Sequence, residues 1–178
     1  MTASYTIRRG SVIWLTLTGL LMGMNIVLSM SMFSIPVPGG HLYFCDTVIN
    51  TAAVLLDPVS AFLVGGVGSI LGDMFFYPAP MFVSLVTHGL QALAVSWLSH
   101  KLVFRREIIS SSIAMTVGAI IMVIGYTLGR AYVYSTPEYA ILKLPFEFLQ
   151  AGAGAVFAIL LLYPMRLKTL FGRALRRH

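Results

Sequence analysis

Apolar residues gather in blocks divided by short Pro-, Gly- and charge-bearing stretches. The first block, residues 12–33, is an apolar run of 22 residues, long enough to cross a hydrocarbon core of about 30 Å as a helix. Residues 45–56 form a block of 12, only about 18 Å as a helix. Residues 59–76, 81–98, 108–132 and 144–163 are the remaining apolar blocks. Pro145 falls early in the first turn of the last block, and Pro164 ends it. The arginine pair Arg8-Arg9 before the first block invites a secretory-signal reading. That block exceeds the roughly 7–15 residues of a signal core and no Ala-x-Ala cleavage site follows, so it is expected to span.

Charge placement decides the short block. Arg8 and Arg9 precede the first run, Lys101, Arg105 and Arg106 sit mid-chain, and Arg166, Lys168, Arg173, Arg176 and Arg177 form the tail. Basic flanks of membrane helices stay in the cytoplasm. If residues 45–56 did not span, the N-terminal and mid-chain basic groups would lie on opposite faces. Counted as a short or tilted span, the block puts them together, and only Arg130 and Lys143 of the twelve Lys and Arg residues remain on the outer side. The expectation is an all-α integral membrane bundle, one domain over residues 1–178, with six transmembrane helices and both termini cytoplasmic.

Composition agrees. The chain is 58% hydrophobic and 10% charged, with a mean hydropathy of +0.88, against about 25% charged residues in soluble domains. The single Cys45 excludes an intrachain disulfide and a cysteine-based metal cluster, and no metal or cofactor is expected. The net charge of +6 belongs to helix flanks and not to a nucleic-acid-binding face.

Residues 34–78 set two short apolar segments between Pro/Gly-rich loops, with acids at the joints. Asp57 before Pro58 reads as a helix N-cap with proline in the first helical position, and Asp46 as another cap. Asp73 sits at the far end of its segment, where a cap carboxylate would face the wrong end of the helix dipole. It wants a ligand or a cationic partner. Small residues recur at helical spacing: Gly19 and Gly23 on the first helix, Gly65, Gly66, Gly68 and Gly72 on the third, and residues 151–155 on the sixth. Such faces permit close helix approach, either within the bundle or against another membrane protein.

The costly polar groups cluster toward one side. At 1.5 Å per residue, His88, Tyr126 and Gln150 lie about 10 Å below the outer surface on the fourth, fifth and sixth helices, with Gln91 a turn deeper. Arg130 and Glu147 are near the outer ends of the fifth and sixth helices, Asp73 and Tyr77 at that of the third, and His41 and Tyr43 in the first outer loop. A channel or proton relay needs polar groups through the full thickness. A one-sided set suits a pocket open outward that takes a small, aromatic, hydrogen-bonding solute. The nine residues His41, Tyr43, Asp73, Tyr77, His88, Tyr126, Arg130, Glu147 and Gln150 are expected to surround one molecule. Each has a blander role available: His88 bonded within the core, Arg130 paired with Glu147, Tyr43 and Tyr77 at the membrane interface.

Enzymatic readings find little support. No P-loop and no His-Glu-x-x-His zinc motif occurs. Gly68-Ser69 with His88, and Leu71-Gly72-Asp73, are only fragments of intramembrane protease motifs.

Pro38-Gly39-Gly40-His41-Leu42-Tyr43, Asp46, Asp57-Pro58 and the run Gly-Gly-Val-Gly-Ser-Ile-Leu-Gly-Asp at 65–73 resemble the substrate-binding S components of energy-coupling-factor (ECF) vitamin transporters. Tyr77-Pro78, His88-Gly89-Leu90, Gly125-Tyr126, and Pro145 with Gln150 extend the resemblance over almost the whole chain. It is closest to the pyridoxine or hydroxymethylpyrimidine branch. The resemblance implies a subunit that binds a vitamin from outside. It also implies docking through the first helix onto a membrane coupling subunit driven by two ATPases, with the family's Ala-x-x-x-Ala docking motif falling on Gly19 and Gly23. Glu147 stands where the family often has Asn, which favours a ligand with a protonated ring nitrogen or amine. The competing expectation is a self-sufficient facilitator or channel acting as a homo-oligomer.

Overall fold

The computed structural model describes residues 11–30, 34–102 and 106–175. Arg8, Arg9, Arg105, Arg176, Arg177 and the end of the first apolar block, residues 31–33, lie outside them. Seven helices are described: α1 (Val12–Leu28), α2 (Cys45–Leu55), α3 (Pro58–Phe76), α4 (Met81–Lys101), α5 (Glu107–Tyr134), α6 (Pro137–Leu162) and α7 (Leu167–Leu175). Helices α3 to α6 are long and apolar enough to cross a membrane, whereas α1 and α2 are shorter.

The first block carries a shorter helix than its apolar length suggests. Helix α1 stops at Leu28, and Ser29 Oγ turns back to donate to the Asn25 carbonyl at 2.9 Å. The loop after it is not structureless. Strands β1 (Ile35–Val37) and β2 (Gly40–Leu42) pair antiparallel, with Pro36 opposite His41. Pro38 and Gly39 form the turn, and Gly39 has φ 81°, the left-handed value a type II turn requires at its third position. A Cβ on Gly39 would also meet Lys143 Cβ at 3.1 Å, so the turn rests directly on α6.

Asp57 is the cap the sequence predicts. Its carboxylate accepts from Val59 N at 3.1 Å, with Pro58 opening α3, and also takes the Trp14 indole N–H at 2.9 Å, tying α1 to this corner. Asp46 is not a cap: no side chain caps α2, and Asp46 is fully buried in its first turn.

Helix α6 begins a full two turns before the expected residue 144. Pro137 occupies its first turn and Pro145 lies inside it. The early turns carry Glu138 and Lys143 and read as loop, but Lys143 finds buried partners there, so the helix extends under the hairpin. The basic tail is likewise partly ordered as α7, where Lys168 pairs with Glu107 at 2.8 Å.

Helix α2 is the centre of the bundle, packed against α1, α3, α4 and α6. Nine of its eleven residues are buried. Glycines admit the close crossings. A Cβ at Gly65 would lie 2.7 Å from the His88 carbonyl on α4, Gly68 and Gly72 face Asn25 and Ser29 of α1, and Gly154 faces Asp46. The glycines of α3, and Gly154 of α6, therefore serve packing inside the bundle. Gly19, Gly23 and Gly152 have nothing within 4 Å of where a Cβ would stand.

Two π-helical turns interrupt the long helices, Leu63–Val67 in α3 and Arg130–Tyr134 at the end of α5. Within the first, the Val64 carbonyl accepts from Asn25 Nδ2 at 2.7 Å. The second carries Arg130 into the interior.

Candidate functional site

A cavity opens at the hairpin end of the bundle, enclosing about 530 Å³ out to its mouth. All nine residues expected to surround one molecule line it: His41 and Tyr43 from the hairpin and the link to α2, Asp73 from α3 and Tyr77 just after its end, His88 from α4, Tyr126 and Arg130 from α5, and Glu147 and Gln150 from α6. The wall also includes Ser29, Gly40, Cys45, Ser69, Pro80, Ser84, Tyr134 and Lys143, which were not predicted.

Asp46 organises the floor from just behind the lining. Its Oδ1 accepts from Gln91 Nε2 at 2.9 Å and its Oδ2 from Gln150 Nε2 at 2.8 Å. Gln91 Oε1 meets His88 Nδ1 at 2.7 Å, and Gln150 Oε1 accepts the Tyr43 backbone N–H at 3.1 Å. Asp46 is fully buried and Gln91, His88 and Gln150 nearly so. Charge-assisted bonds of this kind compensate the carboxylate for lost hydration. The deeper position of Gln91 relative to His88, legible in the helical spacing, is what lets it bridge His88 to Asp46.

A second chain of hydrogen bonds runs beside the first. Tyr126 Oη donates to Ser84 Oγ at 2.6 Å, and Ser84 Oγ donates to Asp73 Oδ2. The Tyr126 ring meets the His88 imidazole edge-on with centroids 5.1 Å apart, an arrangement favourable to both rings. The partner that Asp73 wanted is thus partly supplied by a serine; no cation pairs with it among the described residues.

The third group is a buried ionic cluster. Arg130 Nη2 lies 3.1 Å from Glu147 Oε1, and Lys143 Nζ is 3.9 Å from the same oxygen. Arg130 Nη1 donates to the Gly39 carbonyl at 2.8 Å, and Lys143 Nζ to the His41 carbonyl at 2.6 Å. The two cations hold both flanks of the hairpin turn against α5 and α6. Glu147 is therefore supplied with two positive partners by the protein, which removes the reason for expecting its charge to select a cationic ligand. Arg130 Nε remains buried without a partner among the described residues.

Tyr43 lies in the link between β2 and α2, where burial, reinforced by the Asp73 charge, pushes its phenol well above the usual tyrosine range. It remains a neutral hydrogen-bonding group. Cys45, Asp46 and His88 place a thiol, a carboxylate oxygen and a ring nitrogen within 4.8 Å of one another. That set could hold a soft metal ion, but both Asp46 oxygens and His88 Nδ1 already have partners in the amide network.

Lys143 had no sequence signal beyond being one of two cations left on the outer side. Ser84 had none, because a serine in a membrane helix usually bonds its own backbone. Asp46 was visible as an acid in an apolar block, with the wrong role assigned.

The sequence matches, over residues 10–168, the model of a family described as "ECF-type riboflavin transporter, S component". A protein of Pyrococcus woesei described as "Uncharacterized protein in gap 3'region" is 34% identical over 124 residues, covering 68% of this chain and 81% of that protein.

Proposed function

This chain belongs to the ECF-type riboflavin transporter S component family, and on that premise we propose that it captures a small vitamin from outside the cell in the hairpin-end cavity. As a member of that family it is a multi-pass membrane protein, a substrate-binding transport subunit and not an enzyme, with ECF module components as partners. The proposal adds the direction, the site and the ligand. Helices α1 to α6 all span, with both termini cytoplasmic, which puts the hairpin outside and α7 at the inner surface.

The observation that carries the reading is the convergence of polar and aromatic groups from α3, α4, α5, α6 and the hairpin on one cavity. Ionisable and amide side chains are expensive within a membrane bundle, and a set of them converging on one place needs a common purpose. Tyr43, Tyr126 and Tyr134 offer faces for a heteroaromatic ring. Asp73 and His88 offer acceptors. Hydroxyl-bearing single rings such as pyridoxine or hydroxymethylpyrimidine fit this mixture, and we favour them over the larger flavin in the family's description.

Coupling to the ECF module is proposed through α1. Gly19 and Gly23 face open space, and Val12, Leu15 and Leu20 are exposed on the same helix. Small residues there let a partner helix approach closely.

Mass spectrometry of ligand retained by the purified subunit, followed by titration with pyridoxine, hydroxymethylpyrimidine and riboflavin, tests the reading. Pyridoxine or hydroxymethylpyrimidine should bind, and His88→Ala should weaken that binding at least tenfold, as expected for losing a buried bond of about 1–3 kcal/mol. Binding of riboflavin alone refutes the ligand assignment. Undiminished binding by the variant refutes the site.

A further inference from the structure

The hydrogen bonds behind the cavity fix more than the position of His88. A carboxylate only accepts hydrogen bonds, so both amides facing Asp46 must present their NH₂ groups to it. Gln150 confirms that orientation independently, because its other end meets the Tyr43 backbone N–H, which only an oxygen can accept. Gln91 is constrained in the same way: Nε2 goes to Asp46, and Oε1 is left for His88 Nδ1 at 2.7 Å. An amide oxygen cannot donate, so Nδ1 must carry the hydrogen.

Neutral imidazole has one ring hydrogen. With that hydrogen on Nδ1, Nε2 is bare. No described residue bonds Nε2, and His88 lines the cavity. We propose that Asp46, acting through Gln91, locks His88 in the Nδ1–H form, so that the cavity presents a lone pair and takes ligands with an N–H or O–H donor at that point. Asp46 and Gln91 are positioning residues in this arrangement. Neither lines the cavity, yet together they set which half of a hydrogen bond the ligand must bring. The ligand class rests on the transport reading above; the proton position does not.

The charged and titratable groups around His88 leave this assignment in place. Asp46 Oδ1 is 3.9 Å from Nδ1 on the same side as Gln91 and favours a hydrogen there. Tyr126 approaches with its ring and directs its hydroxyl to Ser84. Asp73 accepts from Ser84.

The test is nitrogen NMR of the full chain in detergent micelles, with histidine labelled at both ring nitrogens and no ligand added. The pH is held well above about 6.5, the ordinary histidine value. The His88 signals are identified by their loss in His88→Gln. Nδ1 should appear as a protonated nitrogen and Nε2 as a bare one. In Gln91→Leu and in Asp46→Asn the hydrogen should redistribute toward Nε2, because the acceptor at Nδ1 is gone or free to turn over. A parent spectrum with the hydrogen on Nε2 overturns the proposal. So does a Gln91→Leu spectrum identical to the parent, and this more conservative variant decides the matter if Asp46→Asn does not fold. Pyridoxine and riboflavin then serve as probes. A bound probe should leave the hydrogen on Nδ1, and one that drives it to Nε2 refutes the donor requirement. If neither binds, the ligand class proposed here falls together with the vitamin reading, and the ligand-free spectrum still decides the lock.

Discussion

Glu147 is the most consequential single substitution available in the cavity wall. Its carboxylate stands between Arg130 at 3.1 Å and Lys143 at 3.9 Å, all three side chains at least nine-tenths buried. Removing it leaves two buried cations facing one another. Breaking a buried pair by deleting one partner costs about 3–5 kcal/mol, most of it the stranded charge, and here two charges are stranded. Lys143→Met alone is milder, since Arg130 and Glu147 remain a neutral pair. It removes the bond from Nζ to the His41 carbonyl, worth about 1.5–3 kcal/mol for a charged donor. The double variant Glu147→Gln/Lys143→Met carries only Arg130, the same net charge of one as the parent cluster. Its cost should fall short of the summed single costs by about 0.5–3 kcal/mol, the range for directly coupled neighbours. SDS-titrated unfolding in micelles, followed by near-ultraviolet circular dichroism on all four proteins, supplies the cycle. Additivity within about 0.5 kcal/mol would mean that the three groups do not share one electrostatic balance.

Three further predictions are independent of that cluster. Cysteines placed at Pro38, Pro80 and Ser135 should be labelled from outside intact cells and one at Arg106 only after permeabilisation; outside labelling at 106 would break the six-span topology. Gly19→Leu and Gly23→Leu should leave binding by the isolated subunit intact and abolish uptake, and equal loss of both would place that face in the subunit's own core. Asp57→Ala should cost about 1 kcal/mol, the usual worth of an N-cap, while Asp57→Asn keeps most of it. Burial raises the Asp57 pKa, but bonds from Ser60, Trp14 and the α3 backbone together bring it below the ordinary value. A depressed carboxylate contributes its stability above the unfolded pKa and loses it as pH falls through the folded one. The Ala and parent proteins should therefore converge in stability at acid pH, and a gap that persists there would exclude the capping carboxylate as its source.

The helical membrane class, the placement of α2 to α5 to within three residues, and the capping role of Asp57 were all legible in the sequence. The reason is solvent. In an apolar surrounding each ionisable or amide side chain is expensive, so the few that occur in apolar blocks stand out. Helical rise then sorts them by depth without any knowledge of neighbours. That reasoning, with the polar and aromatic groups of the adjoining outer loops added, selected nine residues that line one cavity. It misplaced the start of α6, because Glu138 and Lys143 look like loop residues until the hairpin that partners Lys143 is in place.

Only the tertiary structure decided which polar groups answer which. Asp46 and Gln150 are 104 positions apart, Lys143 and His41 102, Asp46 and Gln91 45. No local period links such pairs, and a carboxylate near a helix start reads as a cap until the crossing of α2 with α4 and α6 brings two amides to it. The glycines behave alike: Gly154 and Gly19 are both small residues on helical faces, and one meets Asp46 while the other meets nothing. Sequence determines the cost of each buried group through its own chemistry. What offsets that cost depends on atoms from distant helices, and those are assigned only when the bundle closes.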